Sequence, residues 1–187
     1  AIGGLLLGFD GSVISGASPF YKPVFGLKDG SFLFGLSVSA LIWGCIFGNF
    51  FAGPVSDLIG RKPTLLKAAF LFAVSSLMSA FAPNVAVLIF GRMLAGFGVG
   101  FAILVAPIYI AEISPPGSRG WLVSFNQLLI VVGISSAYFS NYFILNLMDN
   151  PLTNWRWMLG IEAFPSVLYF LLILLIPESP RWLLMKN

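Results

Sequence analysis

Histidine is absent from this sequence, cysteine occurs once, and only 9% of the residues are charged. Each shortage removes a class of function. Without histidine the chain lacks the commonest metal ligand and the usual base for a nucleophile. No metal site and no cofactor is expected. The single cysteine, Cys45, lies inside an apolar run, so no disulfide framework exists. An intramembrane hydrolase is excluded on similar grounds: there is no Ser-His dyad, and one membrane-depth aspartate is too few for a two-Asp mechanism. The chain is therefore read as no enzyme. A soluble domain carries roughly 25% charged residues, so the charge here is too sparse to cover a water-soluble globule. The net charge of +3 and pI of about 9.2 come from ten Lys and Arg. These are scattered between apolar runs, whereas a phosphate-tracking face needs clustered charge. Nucleic-acid binding is excluded with it.

What the sequence has is apolar length, 58% hydrophobic residues with a mean hydropathy of +0.96. A bilayer core takes about 20 apolar residues as helix. Six stretches fit: Ala1 to Ser18, Phe32 to Val55, Leu65 to Ala82, Val85 to Ala111, Trp121 to Ile144 and Met158 to Ile176. None shows the period-2 alternation of a membrane barrel, and helices satisfy their own backbone in lipid. The expected fold is an all-α membrane protein of six transmembrane helices. The chain opens at Ala1 inside an apolar run with no charged region before it. The first span is thus expected to be clipped at its start, and no signal peptide is read there.

Loop charge sets the orientation. With the start of the chain inside, the inner side receives Arg61, Lys62, Lys67, Arg119, Arg181 and Lys186, and the outer side only Lys22, Lys28 and Arg156. Both termini are expected in the cytoplasm, with the protein in the cell (inner) membrane. Trp155 and Trp157 are assigned to an outer aromatic belt, Trp121 and Trp182 to an inner one. Glycines, among them Gly44, Gly48, Gly91, Gly96, Gly98 and Gly100, mark close helix packing, or faces along which helices slide.

Three charges lie deep in the spans: Asp10, Arg92 and Glu162. Counted from the predicted outer ends, each sits about 10–12 Å down at 1.5 Å per residue. A lone charge at that depth is costly, so the three are expected to cluster. One Arg neutralises one carboxylate, which leaves the other as the group that tends to hold a proton. The alternative is a static triad that only fixes packing. In span five, Gln127 offers both donor and acceptor to a hydroxyl-rich solute; an interhelical hydrogen bond is the competing role. Ile134 lies about two turns on and shares its face, while Asn126 points elsewhere and packs.

Motifs in order narrow the reading. Gly53-Pro-Val-Ser-Asp57-Leu-Ile-Gly60-Arg61-Lys62 joins spans two and three. Gly91-Arg92-Met-Leu-Ala-Gly96-Phe-Gly98-Val-Gly100 leads to Pro107-Ile-Tyr109-Ile-Ala-Glu112-Ile-Ser-Pro115, then Arg119-Gly120. Ser124-Phe-Asn126-Gln127 follows, and Pro177-Glu178-Ser179-Pro180-Arg181-Trp182-Leu183 closes the series. With Gly8-Phe9-Asp10 and Val13-Ile14-Ser15-Gly16, these resemble the sugar porter family of the major facilitator superfamily across nearly the whole chain.

The resemblance implies residues 1–187 as the N-terminal six-helix half of a twelve-helix transporter, built as a three-plus-three inverted repeat. No such repeat is legible in the residues, and the second half is absent. It implies a sugar or polyol carried by alternating access, with protons as the coupling ion and the bilayer as solvent. A second six-helix half is the implied partner, either a C-terminal half or another copy of this chain. Asp10 is implied as proton carrier, with Arg92 and Glu162 as its coupling partners. Gln127, Ile134 and Leu7 are implied as sugar contacts, Leu7 standing where phenylalanine is frequent. Asp57, Arg61, Lys62, Glu112, Arg119, Glu178 and Arg181 are implied as a cytoplasmic charge network, in which exposed pairs contribute only about 0–1 kcal/mol each. An uncoupled facilitator, which usually carries Asn at the Asp10 position, and a non-transporting half, homodimeric or not, are the alternatives.

Overall fold

The structure is a computed structural model that describes residues 2–115, 117–148 and 150–186. Ala1, where the first predicted span begins, and Asn187 lie outside the described residues. The described residues form helices and no strand: α1 (Ile2–Val24), α2 (Phe32–Ile59), α3 (Arg61–Ala80), α4 (Val85–Ile113), α5 (Arg119–Leu147), α6 (Pro151–Gly160), α7 (Ala163–Leu175) and α8 (Pro180–Lys186). Five segments are long and apolar enough to cross a membrane: α2, α3, α4, α5 and a sixth-span segment, Leu152–Leu175, covering α6 and α7. Asp10 with the glycines and serines of α1 dilutes the hydropathy of the remaining helix.

The first and sixth spans differ most from their sequence limits. The first runs past Ser18 to Val24 through Pro19 and Pro23. Pro19 has no N–H for the Ser15 carbonyl, and the Ser18 hydroxyl donates to that oxygen instead, at 3.3 Å. The sixth begins at Pro151, where Asn150 caps the Leu152 N–H at 3.1 Å, seven residues before Met158. It then breaks at Ile161 and Glu162. Pro165 cannot bond the Ile161 carbonyl, which accepts from the Phe164 N–H at 3.2 Å. The break places a carboxylate, Glu162, at the joint.

The inverted repeat, illegible in the residues, is visible where helices touch. α1 packs along α5, and α2 along α4. A Cβ on Gly8 would collide with the Ile130 carbonyl, and one on Gly133 with the Leu5 carbonyl. In the other pair, a Cβ on Gly96 would collide with the Leu41 carbonyl, and one on Gly44 with that of Met93. Each pair is a reciprocal clasp in which the glycine of one helix receives the backbone of the other. Exchanging α1 for α4 and α5 for α2 turns one clasp into the other. α3 packs against α4 and the sixth span, as the sixth span does against α3 and α1, which obeys the same exchange.

One aromatic assignment is corrected. Trp155 is fully buried rather than interfacial. Its ring lies edge-on to Tyr21 and Phe25, and its indole N–H donates to Leu152 O at 3.0 Å. The turn of α6 begun at Pro151 points Trp155 inward and leaves Trp157 outside, 57% exposed.

Candidate functional site

Arg92 sits in the middle of α4 on its buried side and reaches α1. Its Nη1 donates to the Asp10 carboxylate through Oδ1, and Nη1 and Nη2 donate to the Asp10 carbonyl at 3.1 and 3.2 Å. Both side chains are at most 2% exposed. Glu162, at the break in the sixth span, is equally buried. Among the described residues it forms no ion pair within 4.0 Å. Asp10 Oδ2, Arg92 Nε and Glu162 Oε1 have no hydrogen-bond partner among the described residues. The site therefore holds one made pair and one carboxylate in waiting, with bonding capacity on all three groups to spare. Charged groups at such depth usually pair with one another, and this set has the bonding capacity for more than one pairing.

A second region lies along α1 and α5. Gln127 and Ile134 are exposed on α5, while Leu7 of α1 is half-buried and packs against the core formed with α2, α3, α4 and α7. Gly11, one turn after Leu7, has open space around it. Asn126 is buried, and its side chain packs at Gly4 of α1. The neighbouring amides thus divide as the sequence suggests, one into the helix contact and one onto the open face.

The cluster expected on the cytoplasmic side, around Asp57, Arg61 and Glu112, is tighter than a set of exposed pairs. Gly60 alone separates α2 from α3, at φ +103°, a conformation that favours glycine. The reversal brings Arg61 back onto Asp57, with Nη1–Oδ1 at 3.0 Å, and onto Glu112 of α4, with Nη2–Oε1 at 3.1 Å. Arg61 is buried, so its pairing with Glu112 is far less screened than a surface bridge. Glu178 caps the start of α3, accepting from the N–H groups of Arg61 and Lys62, both at 3.1 Å. Lys62 Nζ donates to Leu174 O at 3.0 Å. Arg119 and Arg181 are exposed and form no ion pair among the described residues.

Sequence reasoning gave no role to Ser179, which is fully buried and donates to Glu112. Nor did it place the Tyr109 hydroxyl, which donates to Pro177 O at 2.8 Å. Both residues lie inside the quoted motifs, so the signal was there without the contact that explains it.

The family model described as "Sugar (and other) transporter" matches residues 1–187. The chain is 44% identical over 183 residues to the putative metabolite transport protein YwtG of Bacillus subtilis, covering 98% of this chain and 38% of that protein. It is 42% identical over 185 residues to the arabinose-proton symporter of the same organism, covering 97% and 39%. The chain thus spans about two-fifths of the length of these relatives. Among solved structures, the partially occluded inward-open xylose transporter XylE from E. coli superposes with TM-score 0.93 at 35% identity. That match covers all of this chain and 50% of the other. The proton:xylose symporter XylE bound to 6-bromo-6-deoxy-D-glucose gives 0.94 at 36%, covering 100% and 45%.

Proposed function

The chain belongs to the sugar porter family of the major facilitator superfamily, and from that membership we propose that it forms the N-terminal half of a proton-coupled sugar or polyol symporter. It is an integral, multi-pass membrane protein of a family of transporters. The observation that carries the proposal is the buried Arg92–Asp10 pair with Glu162 beside it. A charged pair at membrane depth is expensive to keep, and an uncoupled carrier has no use for one with unfilled bonding positions. Asp10 carries the proton, Arg92 changes partner with it, and Glu162 receives Arg92 when Asp10 is neutral. Gln127 binds the sugar hydroxyls on the open α1/α5 face, with Ile134 and Leu7 as apolar walls. The names of the relatives support the substrate class, an arabinose-proton symporter and a D-xylose transporter of Levilactobacillus brevis among them. A second six-helix half faces Gln127 and completes the site.

The reading is tested in liposomes holding the complete transporter, with an imposed inward proton gradient. Sugar should accumulate, and Gln127→Ala should weaken sugar binding about tenfold or more, the loss of one or two good hydrogen bonds. Unchanged sugar affinity in that variant would remove Gln127 from the site.

Orientation has its own measurement. The excess of inner-side Lys and Arg puts both termini in the cytoplasm. Single Asn84→Cys and Lys186→Cys substitutions in a Cys45→Ser background should react oppositely with an impermeant thiol reagent. Asn84→Cys labels from outside intact cells and Lys186→Cys does not. The reverse pattern would invert the topology.

A further inference from the structure

At the end of the bundle away from the Asp57–Glu178 cluster, an apolar cleft of about 500 Å³ opens between the end of α3, the end of α5 and α6. Leu77, Phe81, Ile144, Met148 and Ile161 form its walls, and Gly160 and Ala80 bring α6 and α3 together within it, since a Cβ on Gly160 would stand 3.2 Å from that of Ala80. Arg156 lies in the same lining and is the only charged residue there among the described residues. It is held in place rather than free: Nη1 donates to Ala80 O at 2.9 Å, and Cζ stands 4.4 Å from the centre of the Trp155 ring. That bond uses one of five guanidinium donors, and the planar fork suits a phosphate. The cleft lies at helix ends, the level at which headgroups meet the hydrocarbon, beside Trp157, which is exposed there.

The geometry points to a glycerophospholipid site, with an acyl chain in the cleft and the phosphate on Arg156. Charge and depth select this occupant. A sugar would leave its hydroxyls against an almost wholly apolar wall, and a free anion would leave the cleft empty. The site couples the lipid to the joint between α3 and the sixth span, one turn from the break at Glu162.

The test is native mass spectrometry of the transporter purified in detergent and titrated with palmitoyl-oleoyl phosphatidylglycerol. One phospholipid should be retained. Arg156→Gln should raise its apparent Kd about tenfold, and Ile161→Trp, which fills the cleft from its exposed wall, should do the same. In the unsubstituted protein the matching diacylglycerol should bind about tenfold more weakly than the phospholipid, so the role of the headgroup is read even where Arg156→Gln does not fold. Equal binding of diacylglycerol and phospholipid, or an unchanged Kd in Ile161→Trp, overturns the proposal. So does displacement of the lipid by inorganic phosphate alone, which would mark a site for a free anion. A dimer peak that Ile161→Trp abolishes, with no lipid retained, assigns the cleft to a second copy and also overturns it.

Discussion

Asp10→Asn should leave a protein that exchanges sugar but no longer accumulates it against a gradient. In the complete transporter, proton-driven accumulation should fall to the equilibrium level, while counterflow of labelled sugar continues. Asn fills the space of Asp10 without its charge, so the step that a proton would perform is already done. The buried guanidinium of Arg92 is then left with Glu162, which lies beside it without an ion pair of its own. Removing that refuge gives the second half of the prediction. Asp10→Asn with Glu162→Gln strands a buried cation without a counterion, which costs about 3–5 kcal/mol, and the double variant should lose most of its yield of folded protein. Accumulation by Asp10→Asn would end the carrier role of Asp10. A double variant as stable as either single one would show that Glu162 does not take Arg92.

Gly96→Ala should be among the most damaging single-atom additions in the chain, with Gly8→Ala its equal. At both positions the new methyl would land on a backbone carbonyl of the neighbouring helix, Leu41 or Ile130. No side chain can rotate to make room, so the helices would have to part by about 1 Å or more to restore normal contact distances. Overpacking of this kind costs about 3 kcal/mol at the upper end of its usual range. Gly35→Ala is the control, because nothing lies within 4 Å of a Cβ there, and alanine improves a helix interior by about 0.5–1 kcal/mol. The measurement is the temperature at which the detergent-solubilised protein loses its monodisperse peak. Gly8→Ala and Gly96→Ala should fall together, with Gly35→Ala unchanged or higher. A Gly96→Ala protein as heat-resistant as Gly35→Ala would mean that α2 and α4 are not in backbone contact.

The membrane fold was readable from hydropathy because lipid leaves the backbone one economical solution. The meeting of Asp10 and Arg92 was readable for the same reason, since charges in apolar runs are few and must pair. The limits of the first and sixth spans were not. The first extends through a proline whose missing N–H is compensated by the Ser18 hydroxyl, and the sixth starts at the Asn150 cap ahead of its apolar run; hydropathy registers neither. The charge cluster around Arg61 was underestimated. Sequence shows Arg61 in a polar loop, whereas the reversal at Gly60 folds it back against α4 and out of water. The inverted repeat lay in backbone approach, which constrains size at a few glycines along each pair and leaves the chemistry of the intervening residues free.

The two clasps also decide what can move. A helix pair pinned by backbone contact in both directions cannot easily change its own crossing angle, so α1 with α5 and α2 with α4 behave as two stiff beams. Among the described residues, side-chain hydrogen bonds join these beams at two places: Arg92 to Asp10, and the Tyr21 hydroxyl to Ser37 Oγ at 3.0 Å. The second is an ordinary neutral bond. The first is an ionic rivet, the contact that the proposed proton transfer to Asp10 would draw.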